Sequence, residues 1–284
     1  MIVCKTKSDV RKTLQELRDV GERIAAAPTM GALHEGHLSL IDKAKAMGAR
    51  TVATIFVNPL QFGPNEDFDQ YPRTMERDLE LLEARGCDVV FTPAGRDVIP
   101  PDFSTKVSVA GVGEDHCAGS RPQFFDGVAT IVTKLLNILS PDFAVFGEKD
   151  YQQLMVITRL VRDLDLDTEI VGAPTVREDD GLAMSSRNQY LSSEERRAAP
   201  ALFETMKLAA QKCAEPGAQW SDVNAWATQR IVDAGFSSVD YLNLVDAASL
   251  AHLERADRPA RLLAAAWIGK TRLIDNIPVT VQPS

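Results

Sequence analysis

The chain has 284 residues, 45% of them hydrophobic and 25% charged, which fits one large or two smaller globular domains and excludes a fibrous or disordered chain. A formal net charge of −9 excludes a general affinity for nucleic acid or anionic membrane, since both demand a positive field, so any anionic ligand must be met locally. The four cysteines (Cys4, Cys87, Cys117, Cys213) lie far apart with no Cys-x-x-Cys pair, which predicts reduced thiols rather than disulfides or a zinc site; with no signal peptide or membrane-length apolar run, a cytoplasmic location is expected.

Short β-rich apolar runs alternate with helical periodicity through about residue 175, the pattern of a mostly parallel sheet covered by helices. Ile24 to Ala27 is a strand ahead of Pro28. The spacing then predicts a helix from Leu38 to Met47 stopped by Gly48, and a strand over Thr51 to Val57 that ends at Asn58-Pro59. A helix over Thr74 to Arg85 stops at Gly86, and the strand Asp88 to Phe91 runs to Thr92-Pro93. Gly127 to Leu139 is helical, Phe143 to Phe146 is a strand ending at Gly147, Tyr151 to Leu164 is helical, and Ile170 to Pro174 is a last short strand. Strands that stop at Gly or Pro hand over to loops, and open α/β sheets bind ligands at those carboxyl ends.

Beyond Val176 the texture changes to a polar loop (Arg177-Glu-Asp-Asp-Gly), charged helices such as Ser192 to Ala214, and two strands, Tyr241 to Val245 and Arg261 to Ile268. The expectation is an α/β fold: a Rossmann-like parallel sheet with helices on both faces over residues 1–175. A smaller α+β C-terminal domain then covers residues 176–284.

Four clusters could carry chemistry. Pro28-Thr-Met-Gly-Ala-Leu-His34-Glu-Gly-His37 joins a strand to a helix, and a Gly-containing loop there offers backbone N–H groups and a positive dipole end to phosphate. Two of the four histidines lie in it. They are three apart and flank a Gly, unlike the four-residue separation of a zinc-protease helix, so the readings are phosphate contact or simple helix capping. Gly147-Glu-Lys-Asp150 repeats the strand-to-helix setting: Lys149 suits phosphate and Asp150 a ribose hydroxyl, although such a run also serves as a plain N-cap. Met184-Ser-Ser-Arg187-Asn188 puts two hydroxyls and a guanidinium in one loop, as a polyphosphate site or a surface turn. Gln61, in Asn58-Pro-Leu-Gln-Phe62, has an amide that can read a hydroxyl and a carboxylate together.

In this order the clusters resemble the pantothenate synthetase family of the nucleotidyl-transferase superfamily, which also includes class I aminoacyl-tRNA synthetases. His34-Glu-Gly-His37 is similar to the superfamily's His-x-Gly-His signature, and Met184-Ser-Ser-Arg187 to its second, mobile phosphate-binding loop; Tyr71-Pro-Arg-Thr and Phe146 to Leu154 extend the likeness. The resemblance implies a ligase that makes a coenzyme A precursor from ATP, pantoate and β-alanine through a pantoyl-adenylate, releasing pyrophosphate and then AMP. It implies ATP along Met30, Gly31, Ala32, Leu33, His34, Glu35, Gly36 and His37, along Gly147, Glu148, Lys149 and Asp150, and along Val176, Met184, Ser185, Ser186 and Arg187. Pantoate is implied at Gln61 and Gln153, and β-alanine at Gln61. His37, His34, Lys149 and Arg187 are implied as catalytic, with His37 as proton donor. Mg²⁺ is expected on the ATP phosphates and not at a dedicated protein metal site, and the assembly implied is a homodimer.

The chain departs from the family at Arg121-Pro-Gln-Phe-Phe-Asp-Gly-Val128, where Arg-Pro-Gly-His-Phe-x-Gly-Val is usual. Either Gln123 replaces the lost polar contact or the pocket is drier. Two other readings compete: a nucleotidyl transferase that stops at the activated compound, against which a Gln61–Gln153 pocket with a second acceptor site argues, and a non-catalytic nucleotide sensor, which would not require three phosphate-facing clusters.

Overall fold

The computed structural model describes residues 1–63, 68–121, 123–215 and 217–280. Six strands, β1 (Ile2–Cys4), β2 (Ile24–Thr29), β3 (Arg50–Ile55), β4 (Val89–Phe91), β5 (Phe143–Gly147) and β6 (Glu169–Ala173), form one sheet in the order β1-β4-β3-β2-β5-β6. All its pairings are parallel. The helices threaded between them are α1 (Lys7–Asp19), α2 (Glu35–Ala46), α3 (Met75–Ala84), the one-turn α4 (Gly95–Val98) and α5 (Cys117–Ser120), α6 (Phe124–Leu139) and α7 (Tyr151–Asp163).

Side-chain alternation along the strands divides the core. Ala25 and Ala27 of β2, Ala53 of β3, Val90 of β4 and Val145 of β5 pack on Leu38, Ile41 and Ala44 of α2 and Leu82 of α3. Their neighbours Ile24, Ala26, Val52, Val89, Phe91, Ala144 and Phe146 face the other way, onto Val10 and Leu14 of α1 and the apolar sides of α6 and α7. Strands buried on both faces read as near-continuous apolar runs, and for that reason β2 to β5 stand out in the sequence. From β2 the chain builds outward one way through β3 and β4 and the other way through β5 and β6, so the crevice between the carboxyl ends of β2 and β5 is the switch point where such sheets bind ligands.

The C-terminal domain carries α8 (Ser193–Ala198), α9 (Ala201–Cys213), α10 (Trp220–Asp233) and the antiparallel sheet β7 (Ser238–Asp246), β8 (Ala260–Ile268) and β9 (Thr271–Val279). One face of this sheet packs on α9 and α10, with Ala264 in that cluster; the other face sends Val245 and Leu263 into the core of the large sheet. The two domains therefore share apolar contact beneath the crevice.

Several elements differ from expectation. The single helix expected from Ser192 to Ala214 is two, because Pro200 cannot donate to the ladder and α8 ends before it. Helix α2 begins at Glu35 rather than Leu38, which brings His37 into its first turn, and α6 begins at Phe124 rather than Gly127. β1, α1 and β9 were not anticipated. β1 has three residues, and β9 carries Asp275, Asn276 and Pro278, residue types that strands usually lack and that an edge position tolerates.

Gly127 fixes how closely α6 approaches the loop after β3. A Cβ there would lie 2.1 Å from the Leu60 carbonyl oxygen and 2.7 Å from the Gln61 nitrogen, both backbone atoms that no rotamer change can move. Alanine is ordinarily the better helix former by about 1 kcal/mol. At this position the overlap outweighs that gain, and Gly127→Ala is expected to lower the unfolding free energy by about 1–3 kcal/mol in urea titration.

Candidate active site

The loop that leaves β2 is shaped from below by one carboxylate. Gly31 and Ala32 both take left-handed backbone, with φ of 82° and 50°, and a Cβ on Gly31 would sit 2.9 Å from Asp78 Oδ2. Asp78, on α3 and 1% exposed, accepts from the backbone N–H of Ala32 (3.0 Å) and Leu33 (2.9 Å) and from the Thr74 hydroxyl (3.2 Å). A left-handed alanine costs about 1–2 kcal/mol, and these hydrogen bonds to an ionised group offset it. Thr29 pins the loop's start by donating its hydroxyl to Thr54 O of β3 (2.6 Å).

His34 is the N-cap of α2. Its Nδ1 accepts from Gly36 N (3.1 Å), and the Nδ1 of His37 accepts from His34 N (3.4 Å), a capping box made of two imidazoles whose ring centroids lie 4.1 Å apart. A nitrogen that accepts carries no proton, so each neutral ring holds its proton on Nε2. Burial, helped by the positive charge of Lys149, pushes His34 down to about 4, and burial followed by His34 and Lys149 pushes His37 down to about 3. Both rings are neutral at pH 7. Capping and ligand contact are thus not alternatives here: Nδ1 caps the helix while Nε2–H remains as a donor. An imidazolium proton donor at position 37 is not the resting state.

Gly147 to Asp150 form the 3₁₀ turn Glu148–Asp150 between β5 and α7, with Lys149 half-buried and Asp150 exposed. The C-terminal sheet holds this turn. Asn276 of β9 donates from Nδ2 to both the Glu148 and Lys149 carbonyls (2.8 Å each), while Arg261 pairs with Glu148 Oε2 (3.2 Å), with Asn276 Oδ1, and stacks 3.8 Å from the Tyr151 ring.

The third cluster follows a tight turn. Arg177 and Ala183 form an antiparallel bridge, Met184 N donates to Val176 O (3.0 Å), and Arg177 binds Asp275 of β9 through two nitrogens (2.7 and 2.9 Å) beneath Phe203. Ser185 then caps the short helix Ser186–Tyr190 by accepting from Arg187 N (3.3 Å). Opposite, Gln61 is oriented by Asn58, whose Nδ2 donates to Gln61 Oε1 (3.0 Å) and to Gly127 O (3.1 Å). Of the two glutamines that open α7, Gln152 is buried and engaged with Cys117 N, Val112 O and Asp115 O, leaving Gln153 half-buried in the wall.

These segments enclose one cleft of about 1220 Å³, larger than a single small-molecule pocket of roughly 300–1,000 Å³ and so roomy enough for two ligands side by side. It brings together Met30, His34, Gly36, His37, Gln61, Gly147, Lys149, Asp150, Gln153, Val176 and Met184 to Arg187. Other expected residues point elsewhere. Leu33 is core, Glu35 pairs with Arg85 (2.5 Å), Glu148 pairs with Arg261, and Gly31 and Ala32 shape the loop from behind. Asp78, Arg261, Asp275 and Asn276 were not anticipated at the site, and their visible trace is polar residues inside a segment of strand length; Asn58 and Gly127 stand in stretches noted in the sequence, without the supporting roles that the structure gives them. In the stretch that departs from the family, Pro122 lies outside the described residues, Gln123 is exposed, and Phe124 lines the cleft with the Arg121 guanidinium 3.8 Å over its ring. The drier of the two alternatives is the one this geometry fits.

A separate group, Asp115, His116 and His252, sits at the joint between the domains. His252 pairs with Asp115 (2.7 Å), and both ring nitrogens of His116 are engaged, by Leu250 O (3.1 Å) and Asn243 Nδ2 (2.8 Å), so the group serves as a connector.

Comparison with known proteins places this geometry. The family model described as pantoate-beta-alanine ligase matches residues 2–278. The chain is 50% identical to the pantothenate synthetase of Caulobacter vibrioides, covering 98% of each chain, and 51% identical to that of Paramagnetospirillum magneticum, covering 98% of this chain and 97% of the other. Among solved structures, pantothenate synthetase from Thermus thermophilus superposes with a TM-score of 0.89 at 42% identity over 98% of this chain and 99% of that one. The pantoate-beta-alanine ligase from Francisella tularensis, complexed with β-γ ATP and β-alanine, does so with a TM-score of 0.82 at 33% identity over the whole of both chains.

The depressed His37 carries a pH prediction. Unfolded, the ring takes a proton near 6.5; folded, not until about 3. Between those values the unfolded state binds more protons, so the fold loses stability as pH falls through that window and keeps it in full above 6.5. At about 1.4 kcal/mol per pH unit, the move from pH 7 to pH 5 costs about 2 kcal/mol through this ring. His37→Asn, whose Oδ1 can still accept from His34 N, is expected to lack that share when both proteins are unfolded in urea at the two pH values. An equal loss in both proteins counts against the neutral, half-buried imidazole.

Proposed function

The chain belongs to the pantoate-beta-alanine ligase family, and we propose that its cleft condenses pantoate with β-alanine through a pantoyl-adenylate. The supporting observation is convergence: His34, His37, Lys149 and the Ser185 to Arg187 loop line one cleft that Gln61 and Gln153 also line. That is a phosphate-binding wall next to an amide-lined pocket suited to a hydroxy acid.

In the first step a pantoate carboxylate oxygen bonds to the α-phosphorus of ATP and the bond to the bridging oxygen breaks, releasing pyrophosphate. Attack at phosphorus asks for alignment and for donors aimed at charge growing on the phosphoryl oxygens. The two imidazoles donate there without having to lose a proton, and Lys149, Ser185, Ser186 and Arg187 supply the remaining positive and hydroxyl groups. The backbone N–H groups from Gly31 to Leu33, of His34, of Gly36 and of His37 are held by protein acceptors, so the stretch from Met30 to His37 contributes through its two imidazoles and the positive end of the α2 dipole. Gln61 and Gln153 hold the acid. In the second step the β-alanine amine, entering beside Gln61, bonds to the acyl carbon, loses a proton, and AMP leaves. The donors in the wall are mainly N–H and O–H groups, which suit phosphate oxygens better than a hard cation. Mg²⁺ therefore fits best as an ion carried on the ATP phosphates with much of its water, where it neutralises charge.

We also assign residues 1–175 to the nucleotide- and pantoate-binding domain and 176–284 to the C-terminal domain, and read the protein as a cytoplasmic homodimer. With MgATP, pyrophosphate release should depend on pantoate, and AMP and pantothenate should accumulate only once β-alanine is added. Pyrophosphate without any dependence on pantoate would sink the acid assignment. Lys149→Ala and Arg187→Ala should each slow pantoate-dependent pyrophosphate release by about 100-fold or more, the scale set by removing one charge-stabilising donor.

A further inference from the structure

Two consecutive residues of β9 reach two different walls of the cleft. In the β8–β9 register Leu263 lies opposite Asn276 and Ala264 opposite Asp275. Leu263 belongs to the core of the large sheet and Ala264 to the cluster with α9, so Asn276 shares the face turned to the N-terminal domain and Asp275 the face turned to α9. Both are buried, at 4% and 5% exposure. Asn276 spends its two amide N–H bonds on successive carbonyls of the Lys149 turn, at 2.8 Å each. Asp275 takes the Arg177 guanidinium in a two-point pair, and Arg177 also donates to Gly181 O (3.1 Å), closing the turn that delivers Met184 to Arg187. Asp275 Oδ1 accepts from Asn276 N as well (2.7 Å), tying the two grips together.

We propose that Asp275 and Asn276 are positioning residues that set the separation of the two phosphate-binding arms, Asn276 acting through Lys149 and Asp275 through the Arg187 loop. The inference rests on the phosphate-binding reading of Lys149 and Arg187 given above. The chemistry is specific to these side chains. A carboxamide is the short side chain that can donate two hydrogen bonds to adjacent carbonyls, whereas aspartate in its place would face them with negative charge. A carboxylate is the partner whose geometry matches a guanidinium at two points. Because the two residues are neighbours on one strand, a change in either arm is referred to the same rigid element rather than to a loop.

A double-mutant cycle tests this on the full-length protein. Asn276→Ala is expected to slow pantoate-dependent pyrophosphate release by about 100-fold, the cost of roughly 1 Å of misplacement, with the KM for β-alanine unchanged. Combined with Lys149→Ala it should add almost nothing, leaving the double variant within about twofold of Lys149→Ala alone, the margin within which independent effects are distinguished. Asp275→Asn with Arg187→Ala should behave likewise. Where turnover is too slow to follow, the same cycles are read on the dissociation constant of a non-hydrolysable ATP analogue. A merely structural role gives the opposite outcome: the losses multiply in full, and the crossed pair Asn276→Ala with Arg187→Ala is no different from Asn276→Ala with Lys149→Ala. That outcome overturns the inference. If instead Lys149→Ala and Arg187→Ala are themselves fully active, it is the phosphate-binding reading that fails, so the two failures are told apart.

Discussion

The ligand-facing geometry hangs on a buried carboxylate with donors all round it. Asp78 is 1% exposed and holds the Ala32 and Leu33 amides and the Thr74 hydroxyl, donors that take the place of the water a carboxyl group loses on burial. Because those amides belong to the turn between β2 and α2, the same bonds that solvate Asp78 hold Gly31 and Ala32 in left-handed backbone. Without that turn α2 could not start at Glu35 with two imidazoles at its mouth. Burial of a charge on α3 and the conformation of a loop 45 residues earlier are one arrangement.

An acidic protein with a net charge of −9 has to bind a polyanion by local means. The cleft does so with directed dipoles as much as with net charge. The histidines are kept neutral by burial and by the nearby ammonium of Lys149, so they contribute oriented N–H groups that need no proton transfer and no solvent reorganisation when charge develops. Two further full positive charges at this spot would have repelled Lys149 and each other. On the proposed phosphate-binding reading, neutral imidazoles let three donor groups share one site at a lower electrostatic cost.

How much of this could be read from the chain depended on how local each signal is. The strands β2 to β6 and helices α2, α3, α6 and α7 are set by burial periodicity and by Gly or Pro at their ends, and each lies within a few residues of its expected span. His34 to His37 and Lys149 were singled out because residue types that handle phosphate stood at strand-to-helix junctions, and Ser185 to Arg187 because two hydroxyls and a guanidinium stood together in one loop; the structure places all of them on one cleft. Their supports were not. Asp78 reads as one more acid on an amphipathic helix, and its meaning comes from backbone groups 45 and 46 positions away. β9 failed to register as a strand because Asp275 and Asn276 lower its β character, and those are the residues whose partners lie some 98 and 127 positions off. Pro200 divided a helix that charge patterning alone ran together.

The joint between the domains illustrates why such supports are polar. Val245 and Leu263 fill the shared core beneath the cleft, and apolar contact of this kind is strong but indifferent to small slides. The Arg177–Asp275 pair and the Asn276 bonds act differently: their Asp and Asn members are buried, and a shift of an ångström would leave charged or donor groups without partners in a place water does not reach. Such pairs add little net stability, because desolvation cancels most of their attraction, but they penalise misalignment steeply. On the proposed reading, a reaction that needs several donors aimed at the oxygens of one phosphoryl group gains more from that penalty than from extra stability. Apolar packing thus brings the two sheets together, and the polar contacts of β9 decide where along each other they stop.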